Sequence, residues 1–209
     1  MRHTSHLEVT PCTVADARGA AERWHYAPRM PVGRLICHGV WEAPRFVGAI
    51  IYGRGATPHL GAPYGCSSLQ VCELVRVALA PGRVHPTSRA LSVSLRLLAR
   101  TNPGLRLVVS FADISQGHVG TLYQATNWVY SGTTAAANEY YFRGRWCHQR
   151  EITSGAFGKG GAIRDYSNLP KRPAAQKHRY LYPLAPELRA SLPSRPYPKR
   201  ATPPDAPVA

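Results

Sequence analysis

The chain of 209 residues predicts an α/β (α+β) domain, a mixed central sheet flanked by helices, with a basic, proline-rich C-terminal extension. Three observations point there. A strand, loop, helix, strand unit runs from residue 69 to 112, and such a unit usually makes a right-handed parallel crossover. Short runs with strand character precede and follow it. Ten of the 19 prolines fall between Pro170 and Pro207, and proline neither donates to a strand ladder nor continues a helix.

The elements follow in order. Ala15 to Trp24 is a short helix. Leu35 to Trp41 and Arg45 to Tyr52 are two strands, joined as a hairpin by Glu42-Ala43-Pro44. Leu69 to Leu79 is a further strand. Ser88 to Arg100 is a helix of about four turns, because Leu91, Leu95 and Leu98 share one face. Thr87 or Ser88 offers a hydroxyl cap for it, and Asn102-Pro103-Gly104 stops it. Leu105 to Ala112 is a continuous apolar run, as expected for a buried parallel strand. Gly117 to Asn127 is a short helix, and Trp128 to Tyr130 begins another strand. Glu139 to Phe142 and Trp146 to Ile152 complete the sheet. In the extension, Lys177 to Tyr182 alternates in the manner of an edge strand. The organisation is a domain over residues 1–168, an extension packed on it over 169–192, and a flexible basic tail over 193–209.

The formal charge is +15, from 26 Lys and Arg against 11 Asp and Glu. Residues 1–163 carry 17 basic and 8 acidic residues, and residues 164–209 carry 9 and 3. Such an excess suits a polyanionic partner, a nucleic acid or a phosphate-rich cofactor, although an Arg-rich host composition produces the same number. The 44% hydrophobic content excludes a disordered chain. No apolar run approaches the roughly 18 residues of a membrane span, the longest being Phe46 to Tyr52. The polar start, Met1 to Leu7, lacks the apolar stretch of a signal peptide. Five cysteines without a CxxC pair argue against a disulfide scaffold or structural zinc. The expected setting is a reducing cytoplasm, with no membrane partner.

Four groups carry candidate chemistry. Asp113 ends the strand Leu105 to Ala112, and ligands of open α/β sheets bind beyond strand carboxyl ends. It is equally a general base and a helix cap. The loop Pro81 to Arg89 opens a helix, where amides and the helix dipole attract anions. Arg83 and Arg89 add charge there, and solvated arginines on a capped helix are the plainer reading. His25 and Tyr26 follow Trp24 without metal-ligand spacing to another histidine. Tyr123, Gln124, Asn127 and Trp128 stack and hydrogen-bond a base or fill a core. Glu73 and Arg76, three apart on one strand, are expected on opposite faces.

Several runs resemble the bacteriophage Mom family: Glu73 to Leu79, His85 to Leu91, Ser110-Phe111-Ala112-Asp113, and Gln116 to Trp128. Trp24-His25-Tyr26, Gly53 to Ala56 and Lys177 to Tyr180 join them. The likeness spans roughly residues 20–182. It implies a divergent GNAT acyltransferase fold and conversion of adenine in phage DNA to N6-carbamoylmethyl (methylcarbamoyl) adenine, which protects that DNA from host restriction. The partner implied is double-stranded DNA, with the oligomeric state open, a dimer included. His85-Pro86-Thr87-Ser88 stands where the superfamily has a Q/RxxGxG/A loop, so the donor is acetyl-CoA or an activated glycyl species.

On this reading Asp113 accepts the N6 proton, Ser88 binds donor or oxyanion, and Arg76 holds an anion. Tyr26, His118 and Tyr123 complete the catalytic group. Arg83, His85, Thr87, Ser88 and Arg89 face the donor. Arg54, Asn127, Trp128, Lys177, Arg179, Lys199 and Arg200 face DNA. His25 and Tyr26 are the positions for an implied iron. The alternatives are an acetyl-CoA-dependent N-acetyltransferase acting on a small amine or protein, and a DNA-binding protein without catalysis.

Overall fold

The computed structural model describes residues 6–55, 57–153 and 162–199. Arg200 and the part of the expected tail that follows it lie outside the described residues. The elements in order are β1 (Leu7–Pro11), α1 (Val14–Trp24), β2 (Leu35–Glu42), β3 (Arg45–Gly53), β4 (Val71–Leu79), α2 (Thr87–Thr101), β5 (Leu107–Asp113) and α3 (Thr121–Ala125). Then come β6 (Val129–Thr133), β7 (Asn138–Phe142), β8 (Arg145–His148), α4 (Gln149–Thr153), β9 (Lys171–Pro173) and β10 (Lys177–Pro183).

Seven strands form the central sheet in the order β1-β2-β3-β4-β5-β10-β6. Only β4 and β5 run parallel, joined through α2; every other neighbouring pair is antiparallel. One face buries the leucine stripe of α2, with Leu91, Leu95 and Leu98 against Val40, Ile50, Leu74, Val108 and Trp128. The other face takes α1 through Ala17, Ala20 and Ala21, set against Cys37, Ala49, Ile51 and Ala78. Small residues on both sides let that helix approach closely. A capping box holds the start of α1, with Thr13 and Asp16 satisfying each other's backbone amides.

Four expectations are corrected. β10 is an interior strand, between β5 and β6, and Tyr180 and Leu181 are fully buried; the prolines around it mask its pattern. The β7 and β8 runs do not complete the central sheet. They pair with β9 in a separate three-stranded sheet, ordered β8-β7-β9, and the run ends in α4 rather than continuing as strand. The helix α2 has Pro86 at its N-cap, with no side-chain cap; proline supplies a fixed extended φ there, and the Thr87 hydroxyl instead accepts from Arg83. Finally, Glu73 and Arg76 share one face of β4. The register with β3 slips between Ile51 and Tyr52, which leaves Val75 as an extra residue. A bulge of this kind reverses the alternation beyond it.

Candidate active site

The site grows from a gap in the sheet. β4 and β5 pair only at Val71 with Leu107, Cys72 with Val108 and Glu73 with Val109. Beyond that they part, and a cleft of about 470 Å³ opens between them. Ser110 marks the parting point, its hydroxyl 2.8 Å from both the Leu74 carbonyl and the Tyr123 phenol oxygen. A serine has one proton. Given to Leu74, it leaves Tyr123 to close the second contact by donating. Burial pushes the Tyr123 phenol up to about 12, so it stays protonated near neutral pH.

One wall is β4 from Glu73 to Val77, and the facing wall is Phe111 and Ala112. The bulge at Val75 is what turns both Glu73 and Arg76 toward this space. The Arg76 guanidinium donates to the carbonyls of Ala27 at 3.1 Å, Val75 at 2.7 Å and Arg29 at 3.3 Å. It thereby ties the segment after α1 against the cleft. That segment supplies Trp24, His25 and Tyr26. His25 stacks on Tyr26 at 4.5 Å, and Tyr26 meets His118 edge-on at 5.4 Å.

Burial, reinforced by the positive charge of Arg76, lowers His25 to about 4. Its Nδ1 lies 3.0 Å from the Ala27 amide and 3.2 Å from the Ala27 carbonyl, and its donor or acceptor role follows the tautomer. His25 therefore lines the cleft as a neutral imidazole. Tyr26 is raised by burial and by the nearby Asp113 carboxylate.

The floor is the segment Gly117–Tyr123. Gly120 is required there. It sits at φ 74 as the N-cap of α3, and an added Cβ would lie 2.3 Å from the Tyr180 ring. The Tyr180 hydroxyl in turn donates to the Val119 carbonyl. Lys177, the first residue of β10, closes the rim.

Asp113 pairs with Lys177 in the β5–β10 register and stands beside the cleft rather than on its lining. Its Oδ1 accepts the Ser115 amide at 3.0 Å and the Ser115 hydroxyl at 2.7 Å, which is the cap geometry. Its Oδ2 lies 3.8 Å from Lys177 Nζ. Tyr26, Arg76, His118, Tyr123 and Lys177 come together around the cleft. Glu73 is the acid that lines it, and the bulge that turns it inward has no sequence signature.

Arg83, His85, Thr87, Ser88 and Arg89 are not on the cleft lining. Arg83 folds back onto the Ala80 carbonyl and the Thr87 hydroxyl. The loop that holds the acyl-CoA diphosphate in the fold expected from the resemblance is closed here by Glu42, whose side chain is 2% exposed. Its carboxylate accepts the His85 amide at 2.7 Å and the Arg45 guanidinium at 3.0 Å, and the Val84 amide also donates to it. Two amides of the loop, those of Val84 and His85, thus serve an internal anion and are not available to a diphosphate. Iron does not fit either. Among the described residues no three His, Cys, Asp or Glu side chains are grouped for a metal.

The residues expected at DNA divide in the same way. Lys177 is exposed at the rim and Lys199 is also exposed. Arg179 lies over the Phe111 ring at 5.9 Å. Trp128 is fully buried and offers no face to a base. Asn127 is held by Arg189 through its carbonyl at 3.0 Å and its side-chain oxygen at 2.8 Å. Arg54 borders a second hollow together with Arg34.

A mixed sheet that parts between its parallel strands, floored by a helix start, defines a protein of the GNAT acyltransferase architecture. The spermidine N-acetyltransferase SpeG chimera from Vibrio cholerae and hSSAT superposes with a TM-score of 0.51 at 12% identity, over 88% of this chain and 99% of that one. The Mom protein family matches residues 6–199, and the chain belongs to that family. Methylcarbamoylase mom of Escherichia phage Mu is 29% identical over 205 residues, covering 92% of this chain and 83% of that protein.

Proposed function

We propose that this protein is a DNA-modifying transferase that places a carbamoylmethyl group on adenine N6 in double-stranded DNA. The observation that carries the reading is the 29% identity to a methylcarbamoylase over 92% of the chain. The cleft chemistry supports it. Adenine N6 is tied up in base pairing and its lone pair is delocalised, so the base must leave the stack and lose a proton as the new bond forms. Asp113 Oδ2 is the acceptor, at the mouth where a flipped base enters. Neutral His25 lines the interior, and Lys177 faces the phosphate side.

The donor sits deeper, near Glu73. An activated glycyl ester suits that end, because its ammonium complements the carboxylate. Attack by N6 on its carbonyl releases the activating alcohol. The glycyl amine, once deprotonated, then attacks adenine C6 and displaces the original nitrogen, which leaves N6–CH2–CO–NH2. Acetyl-CoA suits it less, because Glu42 already satisfies the loop amides that a diphosphate needs. Hydrolysis of DNA from cells expressing the protein, followed by mass spectrometry of the nucleosides, tests the reading. A deoxyadenosine heavier by one carbamoylmethyl group is expected, and an unchanged adenine profile overturns it.

A further inference from the structure

The separate three-stranded sheet is not used by the chemistry above. Its strands β7 and β8 pack on α4, where Ile152 is fully buried, and Tyr140 and the buried Cys147 are paired on the inner side. The register places Glu139, Tyr141, Trp146, His148 and Arg172 together on the other side. That side is aromatic, and its charges are the paired Glu139 and Arg172. Arg172 lies over the Trp146 ring at 4.5 Å, while Trp146 meets Tyr141 at 5.4 Å. Tyr141 is 44% exposed. Arg172 also pairs with Glu139 at 2.8 Å, which orients its guanidinium plane. Lys171 on the edge strand β9 and Arg143 in the β7–β8 turn are exposed on its rim, and Arg150 is exposed on α4, which follows β8 directly.

The position of this sheet matters as much as its composition. β9 ends at Pro173, and Lys177 on the cleft rim follows after three residues, a span of at most ~14 Å. On the other connection, the Thr134 amide donates to the Lys177 carbonyl at 2.9 Å. Both chain segments leading into the small sheet thus leave from the cleft mouth, beside Asp113. A duplex carries one phosphate charge per ~1.7 Å of axis, so a base inserted in the cleft brings several phosphates across this neighbourhood.

We propose that the outer side and rim of the β7–β9 sheet, with the exposed start of α4, form the contact surface for the DNA flanking the target adenine. Arg143, Arg150 and Lys171 meet phosphates, and Tyr141 with the Arg172–Trp146 stack lies against the sugar and base edge. The inference rests on the adenine-modifying reading for its partner. Its geometry comes from the small sheet and α4 alone.

The test measures binding of a labelled adenine-containing duplex by fluorescence anisotropy across a salt series. The variants are the triple Arg143→Gln, Arg150→Gln, Lys171→Gln and the single Tyr141→Ala. A double variant, Arg96→Gln with Arg100→Gln, serves as a charge control on exposed positions of α2. The slope of log K against log salt should fall by ~0.9 for each phosphate that is no longer neutralised, about 2 to 3 for the triple variant. At fixed moderate salt, affinity should drop at least about tenfold by the same relation. KM for DNA should rise while kcat at saturating DNA holds. Tyr141→Ala should weaken binding with little change in slope. An unchanged slope in the triple variant, or an equal fall in the control, overturns the proposal. A wild-type protein that binds DNA but makes no modified adenine overturns the enzymatic reading instead, and the salt slopes still decide the surface.

Discussion

The Glu42 carboxylate accepts the His85 amide at 2.7 Å across 43 residues of sequence. A side chain at the end of β2 therefore shapes the loop between β4 and α2. Burial by itself raises the pKa of this carboxyl, but the His85 and Val84 amides and Arg45 overcome it, and the net shift is downward. A carboxylate depressed in the folded state adds stability above its unfolded pKa and loses that stability as pH falls through the folded value. Glu42→Gln should lower stability by about 1–3 kcal/mol, the cost of unsatisfied amides near a lost charge. The difference from wild type should shrink on acidification, as read from urea midpoints between pH 7 and pH 3.

Two histidines should make the fold acid-sensitive. Burial lowers both His25 and His38 to about 4, well below the ordinary value near 6.5. The folded protein excludes protons that the unfolded chain takes up. Stability is therefore full above pH ~6.5 and declines as pH falls toward 4. Urea midpoints across that range should show uptake of about two protons on unfolding at pH 5. His38→Gln should flatten the dependence. His38 shares Ser94 with Tyr52 at 2.8 Å in the core, so the variant should also be less stable.

Gly120→Ala places a methyl group against the Tyr180 ring at a backbone conformation that alanine disfavours. A thermal melt should show a clear loss of stability, on the order of 2 kcal/mol or more. Activity should fall further than stability does, because the displaced segment is the floor of the cleft.

Arg76→Lys tests whether that residue holds the wall. A lysine has one nitrogen where arginine reaches three carbonyls. The segment carrying His25 and Tyr26 should loosen, raising KM for DNA at least about tenfold, a loss of roughly 1.4 kcal/mol. Thermal stability should change much less. A variant with unchanged KM would show that the clamp is not needed for substrate binding.

How far these features can be read from the sequence depends on their range. The leucine stripe of α2 is local and periodic, so Leu91, Leu95 and Leu98 announce the helix. The apolar run into Asp113 likewise announces β5. The polar turn Ser115-Gln116-Gly117-His118 then marks a site beyond its carboxyl end. The bulge at Val75 leaves no compositional mark, because it is set by pairing with β3; without it, Glu73 and Arg76 would face apart. β1 alternates buried and exposed residues but is only five residues long. β10 is hidden among prolines and gains its interior place from β5 and β6 together. The Glu42 contact needs the whole fold, since neither the carboxylate nor the loop signals the other. The Asp113 cap, by contrast, is short-range and legible from Ser115 two residues on.

The decisive comparison is the nucleoside composition of DNA exposed to the wild-type protein and to Asp113→Asn. Asn keeps the oxygen that caps Ser115 but cannot take a proton at the second position. Carbamoylmethyl-deoxyadenosine is expected from the wild type, and at least about a hundredfold less from the folded variant, the usual weight of a general base. Equal modification by both proteins would refute Asp113 as the group that receives the N6 proton.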